Sequence, residues 1–159
     1  MRKNFVIEVG PVKLNITPFG FHKYATDYLD TANRWTSDVR YSPVPYFLYC
    51  RALELGLKAF LLAKGKRLDW VKNELGHDLT KALKKARSNY LDDLANTTDE
   101  EEKEILIANK YYKSKGFEYF FVSNHVTGLD GLPNLEIIKN YSIRLLNVIK
   151  HLTDNTDVE

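Results

Sequence analysis

Three groups of residues have side chains whose chemistry and spacing could act together. In "RALELGLK", Arg51, Glu54 and Lys58 stand three and four positions apart, so on a helix they share one strip. Arginine and lysine so placed form a polar floor for an anion such as a nucleotide phosphate. The plain alternative is a solvated or salt-bridged strip of little energetic weight, marking where the helix stops being core. In "LGHDLTKAL", His77 and Asp78 open a helix. Asp78 is a residue type that caps a first turn, with His77 packing at the entrance. Read functionally, the pair sits beside exposed amides that attract phosphate. In "RLLNVIKH", Arg144 and His151 are seven positions apart, two helical turns, and project from one face. Histidine can move a proton near neutral pH, and arginine can stabilise charge at phosphorus, which suits metal-independent RNA cleavage. A basic residue in a last turn also meets the helix dipole favourably, with no catalysis required.

Other chemistries lack their residues. The sequence has no glycine-rich phosphate loop, no GxSxG elbow, no CxxC pair and no HExxH. His22, His77, His125 and His151 lie far apart, and none has a partner at a helical metal-ligand spacing. No metal site and no cofactor is predicted. The run "KYYKSKGFEYFF" could stack nucleic-acid bases on exposed rings, but rings at this density more often belong to a core or a dimer contact.

The elements that would position these groups are helical. With 159 residues, the chain is the size of one domain, and 44% hydrophobic with 28% charged residues is an ordinary globular balance. A net charge of +2 gives no global basic field for non-specific nucleic-acid binding. A lone cysteine, Cys50, fits a reducing cytosol. The opening residues lack the apolar run of a signal peptide, and no segment reaches the roughly 20 apolar residues of a membrane span. A soluble cytoplasmic protein is expected.

Residues 1–17 read as an extended arm or small hairpin, 18–153 as a bundle, and 154–159 as a frayed acidic tail. Within the bundle, Phe21, Ala25, Tyr28, Leu29, Ala32 and Trp35 place one helix from about Phe19. A second helix, about Pro45 to Lys64, is apolar nearly all round and ends at Gly65, which predicts a central position. "GKRLDWVKNELG" is a connector with a short helical turn. A third helix begins after Asp78 and buries Leu79, Leu83, Ala86, Tyr90 and Leu94. Thr98 and Glu101 form a capping box for a fourth. The last helix opens at Pro133 and runs to about Leu152, with Leu135, Ile138, Leu145, Ile149 and Leu152 inward. The prediction is an all-α, up-and-down antiparallel bundle of about five helices.

The segment "YFLYCRALELGLKAFLLAKG…LGHDLTKALKKA" resembles the HEPN domain superfamily. The likeness rests on Arg51, Glu54-Leu55, Leu57-Lys58 and Leu61, then His77-Asp78-Leu79. The run "NKYYKSKGFEYF" and the closing helix "LPNLEIIKNYSIRLLNVI" extend it over about residues 19–152. The resemblance implies a bundle that often pairs as a homodimer with a cleft between protomers. Many members are ribonucleases of toxin–antitoxin, CRISPR-associated or phage-defence systems, with an arginine, usually a polar residue next to it, and a histidine after four to six intervening residues. Arg144 and His151 have six residues between them, and apolar Leu145 stands where the polar residue is usual. Other members are taken to bind nucleotides or to act as non-catalytic partners of nucleotidyltransferases. For those, Arg51, Glu54, Lys58 and His77 are the residues to examine. The expectation is a non-catalytic nucleotide-, RNA- or partner-binding module. The alternatives are an endoribonuclease of toxin or defence type using Arg144 and His151, with an antitoxin as partner, and a purely structural helical interaction protein.

Overall fold

A computed structural model describes residues 17–38, 41–119 and 131–154. The arm or hairpin expected before Thr17, the centre of the aromatic connection with His125, and the tail beyond Asp154 lie outside the described residues. Six helices pack together among them: α1 (Pro18–Arg34), α2 (Pro43–Ala63), α3 (Leu68–Trp70), α4 (Leu79–Arg87), α5 (Asp99–Lys113) and α6 (Leu135–Asp154). The five longer ones fulfil the expected all-α bundle, and α3 is the short turn anticipated in the connector.

Local chemistry sets most boundaries. The Thr17 hydroxyl accepts from Gly20 N at 3.0 Å, and Pro18 occupies the first turn, where its missing N–H costs nothing. Ser42 caps α2 in the same way ahead of Pro43. Gly65, at φ +82°, follows α2 in the left-handed region. At α5 the Thr98 and Glu101 side chains each bond the other's backbone amide, the expected capping box. The last helix starts two residues later than Pro133, because the Asn134 side chain accepts from Glu136 N and Ile137 N.

The core is built around α2, where every residue from Ala52 to Leu62 is buried. It packs against α1, α4, α5 and α6. Gly56 lets α6 approach: a Cβ there would lie 2.8 Å from Leu146 Cδ2 and 3.2 Å from Leu145 Cδ2. Ala25, Leu29 and Ala32 of α1, and Ile138, Leu145 and Ile149 of α6, face inward as predicted, while Leu135 and Leu152 are only partly buried. On α4 the prediction holds for Leu79, Leu83 and Ala86 and fails beyond them. Tyr90 is 72% exposed and Leu94 36%. The helix ends at Arg87, Tyr90 turns to φ +67°, and a short 3₁₀ turn over Leu91–Asp93 brings Leu91 and Ala95 into the core instead.

Candidate functional site

The strip on α2 differs from its expectation in one respect. Spacing alone predicts an edge where α2 stops being core, yet Glu54 is fully buried and Lys58 only 8% exposed. The reason is mutual neutralisation, which is what allows charges to leave water. Lys58 Nζ donates to Glu54 Oε1 at 2.5 Å, and Arg51 donates to both Glu54 oxygens at 3.2 Å. The Tyr112 hydroxyl, from α5, donates to Glu54 Oε2. His77 Nδ1 lies 3.1 Å from the same oxygen.

Burial alone would raise the Glu54 pKa, but the Lys58 and Arg51 charges, with hydrogen bonds from Lys58 and Tyr112, hold it below the ordinary carboxylate value. An ionised carboxylate only accepts, so His77 Nδ1 carries the hydrogen of that contact. The same environment acts on the partners. Burial and the Glu54 charge push the Tyr112 phenol up. Burial would lower the Arg51 pKa, and the Glu54 charge overrides it upward.

The connector supplies the remaining wall. After α3 the chain winds into a π-helical turn over Val71–Leu75 and stops at Gly76, at φ +52° and ψ −126°. That backbone conformation suits only glycine. It lets the Gly76 carbonyl accept from Lys58 Nζ at 2.6 Å, joining the turn to α2.

Between these parts lies a cavity of about 580 Å³. Phe21, Tyr24 and Tyr28 of α1 form an aromatic side. Arg51, Glu54 and Lys58 form the floor, and Lys72, Gly76 and His77 the side contributed by the turn. The Arg51 guanidinium sits 5.9 Å from the centre of the Tyr28 ring, and the His77 and Tyr112 rings meet edge to face at 6.4 Å. Arg51, Lys58 and His77 thus share the Glu54 carboxylate. The arrangement can take a flat ring against α1 and an anion on the opposite side.

Asp78 has a different place from its neighbour. It caps α4 by accepting from Lys81 N at 3.0 Å, and it also receives Asn109 Nδ2 at 3.0 Å and Lys113 Nζ at 2.6 Å. Burial opposes its charge, but these bonds lower its pKa. Asn109 completes the cap, its carbonyl oxygen accepting from Leu79 N at 2.8 Å. Asp78 does not line the cavity.

Arg144 and His151 both belong to α6, about 10 Å apart along its axis at 1.5 Å per residue. Arg144 is engaged: Nη1 and Nη2 donate to the two Glu101 oxygens at 2.8 Å, and Nη2 to the Asn96 carbonyl at 2.9 Å. Hydrogen bonding to Glu101 raises its pKa, and it also lies over the Tyr141 ring. For Glu101, burial raises the pKa and the Arg144 bonds outweigh it, so the net shift is downward. His151 is exposed near the end of the helix.

Sequence reasoning missed Tyr112 and Lys72 as parts of the site. The Tyr112–Glu54 bond spans 58 positions, and nothing in local pattern carries it. Lys72 could have been found from its place in "VKNELG", since a basic residue in a glycine-ended turn beside the central helix is a candidate wall. Among the described residues no cluster of His, Cys, Asp and Glu is arranged to hold a metal, and no helix is long and apolar enough to cross a membrane. Compared with protein-family models, curated proteins and solved structures, the chain matches none.

Proposed function

We propose that this protein is a non-catalytic, HEPN-like nucleotide-binding module whose site is the cavity between α1, α2 and the π-helical turn. The observation that carries the reading is the juxtaposition of Phe21, Tyr24 and Tyr28 with Arg51, Lys58, Lys72 and His77 around one cavity of about 580 Å³. That volume falls in the usual range for small-ligand sites. A nucleotide presents a flat base and an anionic phosphate, the two features these sides complement. An RNA chain end offers the same chemistry and belongs to the proposal. So do a homodimer or a protein partner, such as a nucleotidyltransferase or antitoxin, and a cytoplasmic setting.

What weighs against the ribonuclease alternative is the engagement of Arg144. A guanidinium held by both oxygens of Glu101 and by a carbonyl is poorly placed to stabilise charge on a phosphorus centre. The test is a thermal-shift panel of nucleoside mono-, di- and triphosphates in chelator, with labelled RNA incubated in parallel. At a hundredfold excess over Kd, a ligand adds about 2.7 kcal/mol, a shift of several degrees. No shift with any nucleotide, together with cyclic-phosphate ends on the RNA that vanish in His151→Ala, would replace this reading by the nuclease.

A further inference from the structure

The floor of the cavity is not where its anion specificity lies: we infer that Lys72, on the π-helical turn, is the residue that selects a phosphorylated ligand. This inference rests on the nucleotide-binding reading of the cavity and goes further, to the residue that sets its ligand class. Arg51 and Lys58 carry the positive charge that first suggests a phosphate site. Both already engage Glu54, which receives two bonds from Arg51 and one from Lys58 and cancels one of their two charges. Lys58 spends a second donor on the Gly76 carbonyl, and its side chain is only 10% exposed. An incoming phosphate at either side chain would meet the Glu54 carboxylate at the same time. Like charges brought together in a partly buried site repel strongly.

Lys72 is in the opposite position. It lines the same cavity, it is exposed, and among the described residues no carboxylate lies within ion-pair distance of it. Its ammonium therefore reaches an anion at no cost in broken bonds. His77 stands on the same side with Nδ1 turned to Glu54, which leaves Nε2 as an acceptor for a ligand hydroxyl. The turn, rather than the central helix, thus reads the charged end of the ligand. Arg51, Glu54 and Lys58 form a hydrogen-bonded support that holds the turn in place through Gly76 and His77.

Isothermal titration of the full chain with AMP and with adenosine measures the contribution of the phosphate as a ratio of affinities. The wild-type protein should prefer AMP. Lys72→Met should lower that ratio by roughly ten- to a hundredfold, the effect of one charge-assisted hydrogen bond. Lys85→Met, on an exposed lysine of α4 away from the cavity, controls for net charge and should leave the ratio in place. Circular dichroism confirms that each variant is folded. If Lys72→Met retains the preference while Arg51→Gln loses it, the assignment to the turn is wrong and the nucleotide site survives. Equal affinity of the wild type for AMP and adenosine would also overturn the assignment, leaving an aromatic-ligand site. Binding of neither probe to the wild type would remove the site and the assignment together.

Discussion

Replacing Glu54 by glutamine keeps the side-chain shape and removes one charge, which makes it a sharp test of the buried network. In the native protein the Glu54 side chain is 1% exposed and takes bonds from Lys58, Arg51, Tyr112 and His77. A glutamine still accepts on one oxygen, but its amide nitrogen then faces groups that are themselves donors. Lys58, with its side chain 10% exposed, loses its counter-charge and is left with neutral acceptors, the Gly76 carbonyl and the amide oxygen. Arg51 suffers less, because at 27% side-chain exposure water screens part of its charge. Removing one member of a buried ion pair costs about 3–5 kcal/mol. At roughly 2–4 °C per kcal/mol for a domain of this size, the melting temperature should drop by about 6–20 °C. Calorimetry on Glu54→Gln, Lys58→Met and the double variant checks this. The double variant should be more stable than Glu54→Gln alone, because the unpaired ammonium has gone. A single variant melting within about 2 °C of wild type, or a double variant no better than additive, would refute the claim that these charges depend on one another.

Other elements of the structure give sharper or milder expectations. Asn109→Ala removes the acceptor for Leu79 N and the donor to Asp78, so urea unfolding should show a loss of about 1–3 kcal/mol; wild-type stability would mean that α4 does not need its second cap. Arg144→Ala breaks the two-pronged pair with Glu101 at a side chain that is 40% exposed, and a loss of only about 1 kcal/mol is expected. The same variant should leave RNA uncut, as in wild type; cleavage present before and absent after the change would restore Arg144 to a catalytic role. Glu54, Asp78 and Glu101 all have carboxyl pKa values lowered by the fold. Their stabilisation is complete above the unfolded values near about pH 4 and is lost as pH falls through the lower folded values. Melting temperature should therefore decline progressively below about pH 5, and a curve still flat at pH 2.5 would contradict the shifts.

What could be read in advance divides along physical lines. The Thr98–Glu101 box, the Asp78 cap and the Gly65 stop depend on groups a few residues apart, so short stretches of sequence contain them whole. The all-round apolarity of α2 announces a central helix for the same reason. The strip at Arg51, Glu54 and Lys58 was visible as a strip, because spacing fixes which residues share a face. Its depth was not visible, since burial is set by Tyr112 and His77 arriving from other helices and turns. The tail of α4 misled for a related reason. Tyr90 and Leu94 continue the helical period, and the backbone turns away at Tyr90 to place Leu91 inside instead.

The network around Glu54 is hard to explain by stability alone. Apolar residues of similar volume in place of a buried ion cluster often leave a protein as stable or more so. A helix as apolar as α2 could have carried leucine at each of those positions. What an apolar cluster could not do is orient its neighbours. Glu54 fixes which His77 nitrogen bears hydrogen, and Lys58 ties the Gly76 carbonyl down at 2.6 Å. Those two contacts hold both ends of the segment 76–77 that closes the cavity. A ligand would then meet a preformed wall and lose less freedom on binding, and preorganisation of that kind tightens affinity without a new contact. The conservative exchange Lys58→Arg separates the two roles. A guanidinium keeps the charge against Glu54 but cannot reproduce the compact ammonium between Glu54 and Gly76. If the cluster serves the cavity, nucleotide affinity should fall in this variant more than stability does. If both fall together, or neither does, the charges on α2 are ballast for the fold and the cavity owes them nothing.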